Sequence, residues 1–413
     1  MRRRTRNCQV VAVLTCLLCA GMLSASGAAA QVPAGFDGVW RAFVQEHRGM
    51  LDDAGVVGAT VAFMHDGRLV ATDYYGMEDI EAGRRVDQHT IYHWASNTKT
   101  FTAVGIMQLI ERDMLTLDDA IVEYVPELRA VHNPFGPMSA ITIRQLLSHS
   151  AGFRNPTWPW GGDEPWHQHE PTEWSQLVAM MPYTQILFEP GSRYSYSNPG
   201  IIFLGRTLEA LTGDVYEAYI DKNIFDVLGM DSSYFDVTPW HLRDARSDNY
   251  RVVDGVPVAN GLDFNTGITV SNGGLNAPVH DMARWLALLM GAPATKQAVH
   301  DVVLDRASLQ TMWTEVVTVE DSSALGHVGM GLSFFLYEHD GHRIIGHTGS
   351  QKSFSTFIFI DAERDVAMIG AYNTAGGDET APDVEGIMTS ARRRALDVLF
   401  PVFWAESSTS LLR

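Results

Sequence analysis

Ser96-Asn97-Thr98-Lys99-Thr100-Phe101-Thr102-Ala103-Val104-Gly105-Ile106-Met107-Gln108-Leu109-Ile110 is the stretch on which the reading of this chain turns. From Thr98 to Ile110 it is apolar nearly all round, which suits a helix buried on every side better than one with a solvated face. Ser96 stands at its entrance. Lys99 follows three positions on, so hydroxyl and amine project from one face within reach of each other. Serine is a poor nucleophile until a neighbouring base takes its proton, and lysine can be that base if burial keeps it neutral. The four-residue pattern alone is equally an N-cap serine followed by a surface lysine. The apolar run weighs against that reading, because a lysine inside it is costly unless paired.

Lysine is scarce here. Lys99, Lys222, Lys296 and Lys352 are the four lysines among 30 basic residues, the rest being arginines, which do not give up their proton in a protein. A lysine in such a chain therefore invites a reason.

Working outward, Arg2, Arg3, Arg4 and Arg6 precede an apolar stretch from Val10 to Leu23 and a close on Ala28-Ala29-Ala30. That predicts a secretory signal peptide over residues 1–30, a periplasmic or secreted product and no stable membrane anchor after cleavage. Cys8, Cys16 and Cys19 all fall inside it, so the mature domain, 31–413, is predicted to carry no thiol and no disulfide, which excludes cysteine catalysis and thiolate metal sites. Removing the four leader arginines and no acid takes the formal charge from −19 to −23. A nucleic-acid partner would want the opposite sign.

Val57 to Phe63 and Leu69 to Tyr75 are β-rich runs joined by His65-Asp66-Gly67, a hairpin with its turn at Asp-Gly, so the sheet is expected to begin at the N-terminus of the mature protein. Ile143 to His149, Pro199 to Leu211, Tyr216 to Leu228 and Asp281 to Met290 read as helices separated by Pro and Gly. From Gly331 the β texture returns in Gly331 to Tyr337, Arg343 to Gly346, Ser355 to Ile360 and Val366 to Tyr372, and Glu385 to Leu399 closes as a helix. The prediction is an α/β (α+β) fold: one antiparallel sheet built from about 31–95 and 326–413, flanked by helices, with a mostly helical subdomain inserted over about 96–325. Phe153 to Pro171, rich in Trp, Pro and Gly, is long enough for a lid or binding loop.

Two further elements carry chemistry. Tyr194-Ser195-Tyr196-Ser197-Asn198 places the Tyr196 phenol and the Asn198 amide on one side of an extended segment. Tyr and Lys have reference pKa values of about 10 and about 10.4, close enough to share a proton in one pocket. Asn198 is also read as an N-cap with Pro199 at the first helical position. Gly346-His347-Thr348-Gly349-Ser350 interrupts a strand with two glycines, a mark of close approach by a ligand or another backbone. Such an edge could pair with an acyl substrate and lend an N–H to an oxyanion.

These three elements, in this order, resemble the serine β-lactamase and penicillin-binding superfamily, in the branch holding class C β-lactamases, D-alanyl-D-alanine carboxypeptidases, D-aminopeptidases and esterases. Leu146-Leu147-Ser148-His149-Ser150-Ala151-Gly152, Phe188-Glu189-Pro190-Gly191 and Gly273-Gly274-Leu275 ahead of Asp281-Met282-Ala283 are similar to it too. The resemblance implies a β-lactamase-like fold, a Ser96 acyl-enzyme, proton transfer by Lys99 and Tyr196, and Asn198 orienting Lys99 or the substrate amide. It also implies substrate binding along His347, Thr348, Gly349 and Ser350, with an oxyanion hole from the N–H groups of Ser96 and Ser350. No cofactor is implied, and the partner is a small acyl compound: an ester, a D-amino-acid peptide or a β-lactam. His347 departs from the lysine that β-lactamases of this branch carry. A neutral histidine offers a hydrogen bond and little charge for a substrate carboxylate, which shifts the expectation toward esters and D-peptides. The alternatives are a β-lactamase proper and a penicillin-binding sensor that acylates without turnover.

His167-Gln168-His169-Glu170 gives alternate residues in a loop with no helix to fix two ligands, and is read as no metal site. Trp158, Trp160 and Trp166 fit equally an acyl pocket and a tack holding the loop to the helical subdomain. His149 is read as structural.

Overall fold

The computed structural model describes residues 32–157, 171–261, 265–291, 298–323, 325–376 and 383–404. The proposed leader, the tryptophans and histidines between 158 and 170 and the last residues lie outside them.

Nine strands form one antiparallel sheet: β1 Gly58–His65, β2 Arg68–Asp79, β3 Arg84–Arg85, β4 Val317–Ser323, β5 Gly326–Met330, β6 Phe335–His339, β7 His342–Gln351, β8 Phe354–Asp361 and β9 Val366–Tyr372. Their order is β3-β2-β1-β9-β8-β7-β6-β5-β4. The β1–β2 turn is Asp66-Gly67, with φ of 48° and 68°, the positive values that a two-residue hairpin turn of matching twist requires. β1 then pairs with β9, Ala59 opposite Tyr372 and His65 opposite Val366, so the two ends of the chain complete one sheet.

Both faces of the sheet are covered, which is why its central strands are apolar at nearly every position instead of alternating with polar residues. Alternate side chains enter two cores: Val61 and Phe63 one, Ala62 and Met64 the other, and likewise Phe357 and Phe359 against Ile358 and Ile360. The helices that matter for the site are α1 Phe36–Ala54, α2 Thr98–Glu111, α3 Asn198–Thr212, α4 Val279–Met290 and α5 Val384–Arg394. The first core lies under α1 and α5, where Phe36, Phe43, Leu51 and Met388 are buried. The second lies under α2 and α4, where Phe101 stacks on Trp285 with centroids 3.8 Å apart. Each such side chain contributes roughly 1.5–3 kcal/mol by leaving water. Thr98 through Leu109 are all buried, as the absence of a polar face in α2 predicts.

The structure corrects three expectations. The sheet does not begin the mature protein, because α1 precedes it; its buried Phe36, Phe43, His47 and Leu51 recur at helical spacing on an otherwise polar segment. The return of the sheet starts at Val317, ahead of the predicted 326, because β4 pairs with β5 at the sheet's outer edge. Its sequence, Val-Thr-Val-Glu-Asp-Ser-Ser, is mostly polar and gives little apolar signal. The stretch 96–325 is mostly helical but also supplies strands to two three-stranded sheets, one of which joins Ile91–His93, Leu275–Pro278 and Tyr234–Phe235.

Candidate active site

Ser96 sits on a single 3-10 turn, Ala95–Asn97, that runs directly into α2. Ala95 has φ 46°, a left-handed conformation that a residue with a Cβ adopts only when its surroundings enforce it. The enforcement is visible. Trp94 N–H donates to Leu275 O at 2.8 Å, and Trp94 Nε1 to Ala277 O at 2.8 Å. Thr98 Oγ1 donates to Ala95 O at 2.6 Å, and on the sheet side Asn97 Nδ2 donates to Thr356 Oγ1 of β8 at 2.8 Å. Strand, turn and helix thus hold the serine from three directions.

Lys99 is 0% exposed, and its Nζ lies 3.0 Å from Ser96 Oγ and 2.7 Å from Asn272 O. Neither partner is a carboxylate, so among the described residues no counter-ion offsets the loss of hydration of an ammonium. Burial holds the amine well below the usual lysine range. Tyr196 brings its ring to 4.9 Å from Nζ and its hydroxyl into hydrogen bonding with Ser96. Burial pushes the phenol upward. The two directions together favour the phenol over the amine as the holder of a shared proton.

Tyr196 is itself backed by His149, stacked at 4.4 Å between centroids. His149 Nδ1 accepts the N–H of Ser197 at 3.1 Å, so this histidine shapes the phenol's seat, in keeping with a structural part. His347 is buried, with Nδ1 2.6 Å from Thr348 O, and its pKa is pushed down to about 3 by burial and by Lys99. It is a neutral ring beside the site.

β7 forms one wall. Its pairing with β6 ends at Gly346 opposite Phe335, so among the described residues His347 to Gln351 are paired with β8 alone. At Gly349 this edge meets the nucleophile turn: a Cβ there would lie 2.2 Å from Trp94 O and 3.1 Å from Ser96 N. Only glycine admits the contact. Thr348 precedes it, half-buried, and Ser350 follows, exposed. A cleft of about 200 Å³ opens over Ser96, lined by Thr157, Asn198, Thr269, Asn272, Gly273, Ser350 and Gln351. None of these is ionisable.

Two of the parts expected of Asn198, the cap and the orientation of Lys99, fall to other residues. Ser197 caps α3, its Oγ accepting the N–H of Gly200 at 3.1 Å, and Asn198 is the first helical residue. Its amide donates to Asn155 Oδ1 at 3.3 Å and faces the cleft, while the second partner of Lys99 is the Asn272 carbonyl. A backbone carbonyl has no side-chain signature, which is why Asn272 escaped the sequence reading; its place just before Gly273-Gly274 was the one available hint. Thr356 and Gln351 were missed likewise. Among the described residues no group of three potential metal ligands converges, and His167, His169 and Glu170 lie outside them.

The antiparallel sheet, the buried Ser-x-x-Lys helix and the tyrosine on the facing segment define the serine β-lactamase and penicillin-binding class of fold. The chain belongs to the β-lactamase family, whose model matches residues 40–391. Among solved structures it is similar to the octameric penicillin-binding protein homologue from Pyrococcus abyssi (TM-score 0.72, 26% identity, 86% of this chain and 77% of that one). It also shares its fold with a class C β-lactamase (TM-score 0.69, 17% identity, 89% and 97%). Among curated proteins it is similar to Protein flp of Staphylococcus aureus strain COL, 23% identical over 77% of this chain and 60% of the relative. The unguisins hydrolase ungD' of Aspergillus campestris is 25% identical over 80% and 61%. The chain thus spans about three fifths of these curated relatives. Among the described residues no helix is long and apolar enough to cross a membrane.

Proposed function

We propose that this protein is an exported serine hydrolase that cleaves a small ester or amide with an uncharged acyl group through a Ser96 acyl-enzyme, an esterase or D-aminoacyl peptidase in type. One observation carries the reading: an amine with no counter-ion among the described residues, wholly buried, 3.0 Å from a hydroxyl at the floor of a cleft. With its lone pair directed at Ser96, Lys99 takes the serine proton as Oγ attacks the carbonyl, while its own N–H stays on Asn272 O. Tyr196 then passes its phenol proton to the leaving group and takes back the one that Lys99 accepted. The N–H groups of Ser96 and Ser350 receive the oxyanion, and water releases the acyl group by the same proton path. Asn198 binds the substrate's polar atoms from the opposite wall.

Among the described residues the lining of the cleft is neutral, and with the neutral His347 this supports an uncharged acyl group over the carboxylate of a β-lactam. The printed name of the Aspergillus relative supports hydrolysis in general. Export to the periplasm or medium is supported by the leader-like residues 1–30, and the N-terminal sequence of the secreted protein tests it: a mature chain beginning at Gln31 is expected.

Incubation of the mature protein with a fluorophosphonate and a chromogenic short-chain ester tests the chemistry. Labelling at Ser96 with ester turnover is expected. Labelling without turnover would replace the enzyme by an acylating sensor, rapid cephalosporin hydrolysis would restore a β-lactamase, and an unlabelled Ser96 would sink every version. The pH profile is a second check. The base is the unprotonated amine, so acylation rises with pH through the pKa of Lys99, and because burial lowers that pKa the rate is expected to level off well below 10.5. A rate still climbing through the ordinary lysine range would mean the amine is hydrated and charged at neutral pH.

A further inference from the structure

One side of α2 meets the buried turn Val270–Gly273 and the residues after it through polar contacts. Thr98 Oγ1 accepts the N–H of Leu275 at 3.0 Å, Lys99 Nζ donates to Asn272 O at 2.7 Å, and Thr102 Oγ1 donates to Ser271 O at 2.5 Å. Thr98, Lys99 and Thr102 share a helix face, so two successive carbonyls of the turn are received by two side chains one helical turn apart. The bond from Thr102 departs from the habit of helical threonines. Thr207, Thr212 and Thr311 turn their hydroxyls back on the carbonyl four residues earlier in their own helices, which needs no outside partner. Thr102 instead reaches across to another element.

Chemistry fixes the direction of its bonds. Thr102 Oγ1 also lies 2.7 Å from the hydroxyl of Tyr216, the first residue of the helix Tyr216–Ile220. A carbonyl cannot donate, so the threonine proton goes to Ser271 O and the phenol proton goes to Thr102. Tyr216, Thr102 and Ser271 are all buried, so the two bonds are shielded from water and each strengthens the other. Behind the turn stands α3, where a Cβ at Gly205 would lie 2.5 Å from the Ser271 side chain. Packing thus fixes where the turn lies, and the hydroxyl fixes which way its carbonyls face.

That direction matters to the amine. An uncharged lysine has two N–H groups and one lone pair, and Asn272 O takes one N–H, which leaves the lone pair free to meet Ser96 Oγ at 3.0 Å. If the carbonyl swings away, the amine follows it or turns, and an N–H competes with the lone pair for the serine.

Resting on the acyl-enzyme reading above, we propose that Thr102 is a positioning residue for the proton transfer: by holding Ser271 O it fixes the peptide before Asn272, and with it the direction in which Asn272 O holds the Lys99 amine against Ser96. Tyr216 supports Thr102 from behind. Neither side chain touches substrate.

The test is the pH profile of kcat/KM for a chromogenic short-chain ester, expressed per active site counted by exhaustive fluorophosphonate titration. Thr102→Val keeps the shape of the side chain and removes its hydroxyl. It is expected to lower the plateau about tenfold, inside the ~10²-fold that a 1 Å misplacement costs. It is also expected to move the acid limb to lower pH, because an ammonium that loses an acceptor forms less readily. Thr102→Ser, which keeps the hydroxyl, is expected to restore both, and Tyr216→Phe to give a smaller fall in the same direction. Among the described residues the titratable groups around Lys99 are Tyr196, His149 and His347, which these substitutions leave in place. A limb that stays where wild type has it, or a loss that only follows the number of titrated sites, makes Thr102 a packing residue and overturns the proposal while the hydrolase reading stands. Should Thr102→Val not fold, Tyr216→Phe decides alone, a wild-type plateau and limb overturning the proposal. A wild-type protein whose Ser96 neither labels nor turns over the ester overturns both.

Discussion

Lys99→Met is expected to lower kcat/KM for a short-chain ester by roughly 10³-fold, inside the ~10²–10⁴ range that a positioned general base supplies. The same substitution is expected to leave the unfolding midpoint at or above the wild-type value. Methionine fills the volume of the lysine stem and removes the need to bury an amine, and the main loss is the hydrogen bond to Asn272 O, worth about 1 kcal/mol. Lys99→Arg is expected to be equally inactive and clearly less stable, because a guanidinium cannot discard its charge and finds only a hydroxyl and a carbonyl as partners there. Ester kinetics and thermal melts of the two variants check this. Were the arginine protein as stable as wild type, a carboxylate or water must compensate it, and the uncharged amine on which the mechanism stands would be wrong.

Gly349→Ala is the second large effect. The new methyl would stand 2.2 Å from Trp94 O and 2.7 Å from Thr356 Oγ1, neither at the end of a flexible chain. The nucleophile turn and β7 must separate, which parts the N–H of Ser96 from that of Ser350. Activity is expected to fall by about 10²-fold or more, the cost of one misplaced oxyanion donor, with about 1–3 kcal/mol of stability lost to overpacking. A cavity-neutral variant such as Ser350→Ala, which keeps its backbone N–H, is expected to retain most of the activity. If Gly349→Ala were as active as wild type, the oxyanion would have to be stabilised elsewhere.

Much of this architecture was legible because it follows from local pattern. Asp66-Gly67 permits little besides a hairpin, the evenly apolar α2 permits little besides full burial, and a lysine inside α2 has to be neutral or paired. Ser96 and Lys99 could be joined from spacing alone. Tyr196 could be joined to them only through the family resemblance, since one hundred residues separate them and no periodicity bridges that distance; the structure brings all three together. What stayed hidden depends on tertiary neighbours. β4 is a strand because β5 lies beside it, and the Asn272 carbonyl matters because α3 and α2 press its turn onto Lys99. Asn198 and Ser197 are both good caps, and the choice between them rests on a one-residue shift in where Tyr196 must point. Gln351 carries no chemical signature in the sequence, and only the fold brings it to the cleft.

The pairing of β1 with β9 has a consequence for how the molecule is made. The interior strand β1 finds its last neighbour roughly three hundred residues further along, so contacts of very long sequence separation must form before the assembly closes. A polypeptide still emerging from the ribosome and ending short of Val366 possesses every group of the proton path yet lacks the ribbon against which β1 and β8 are zipped together. Such a fragment should be inert and protease-sensitive rather than weakly active, and the complete protein should mature only after synthesis ends, staying threadable until then.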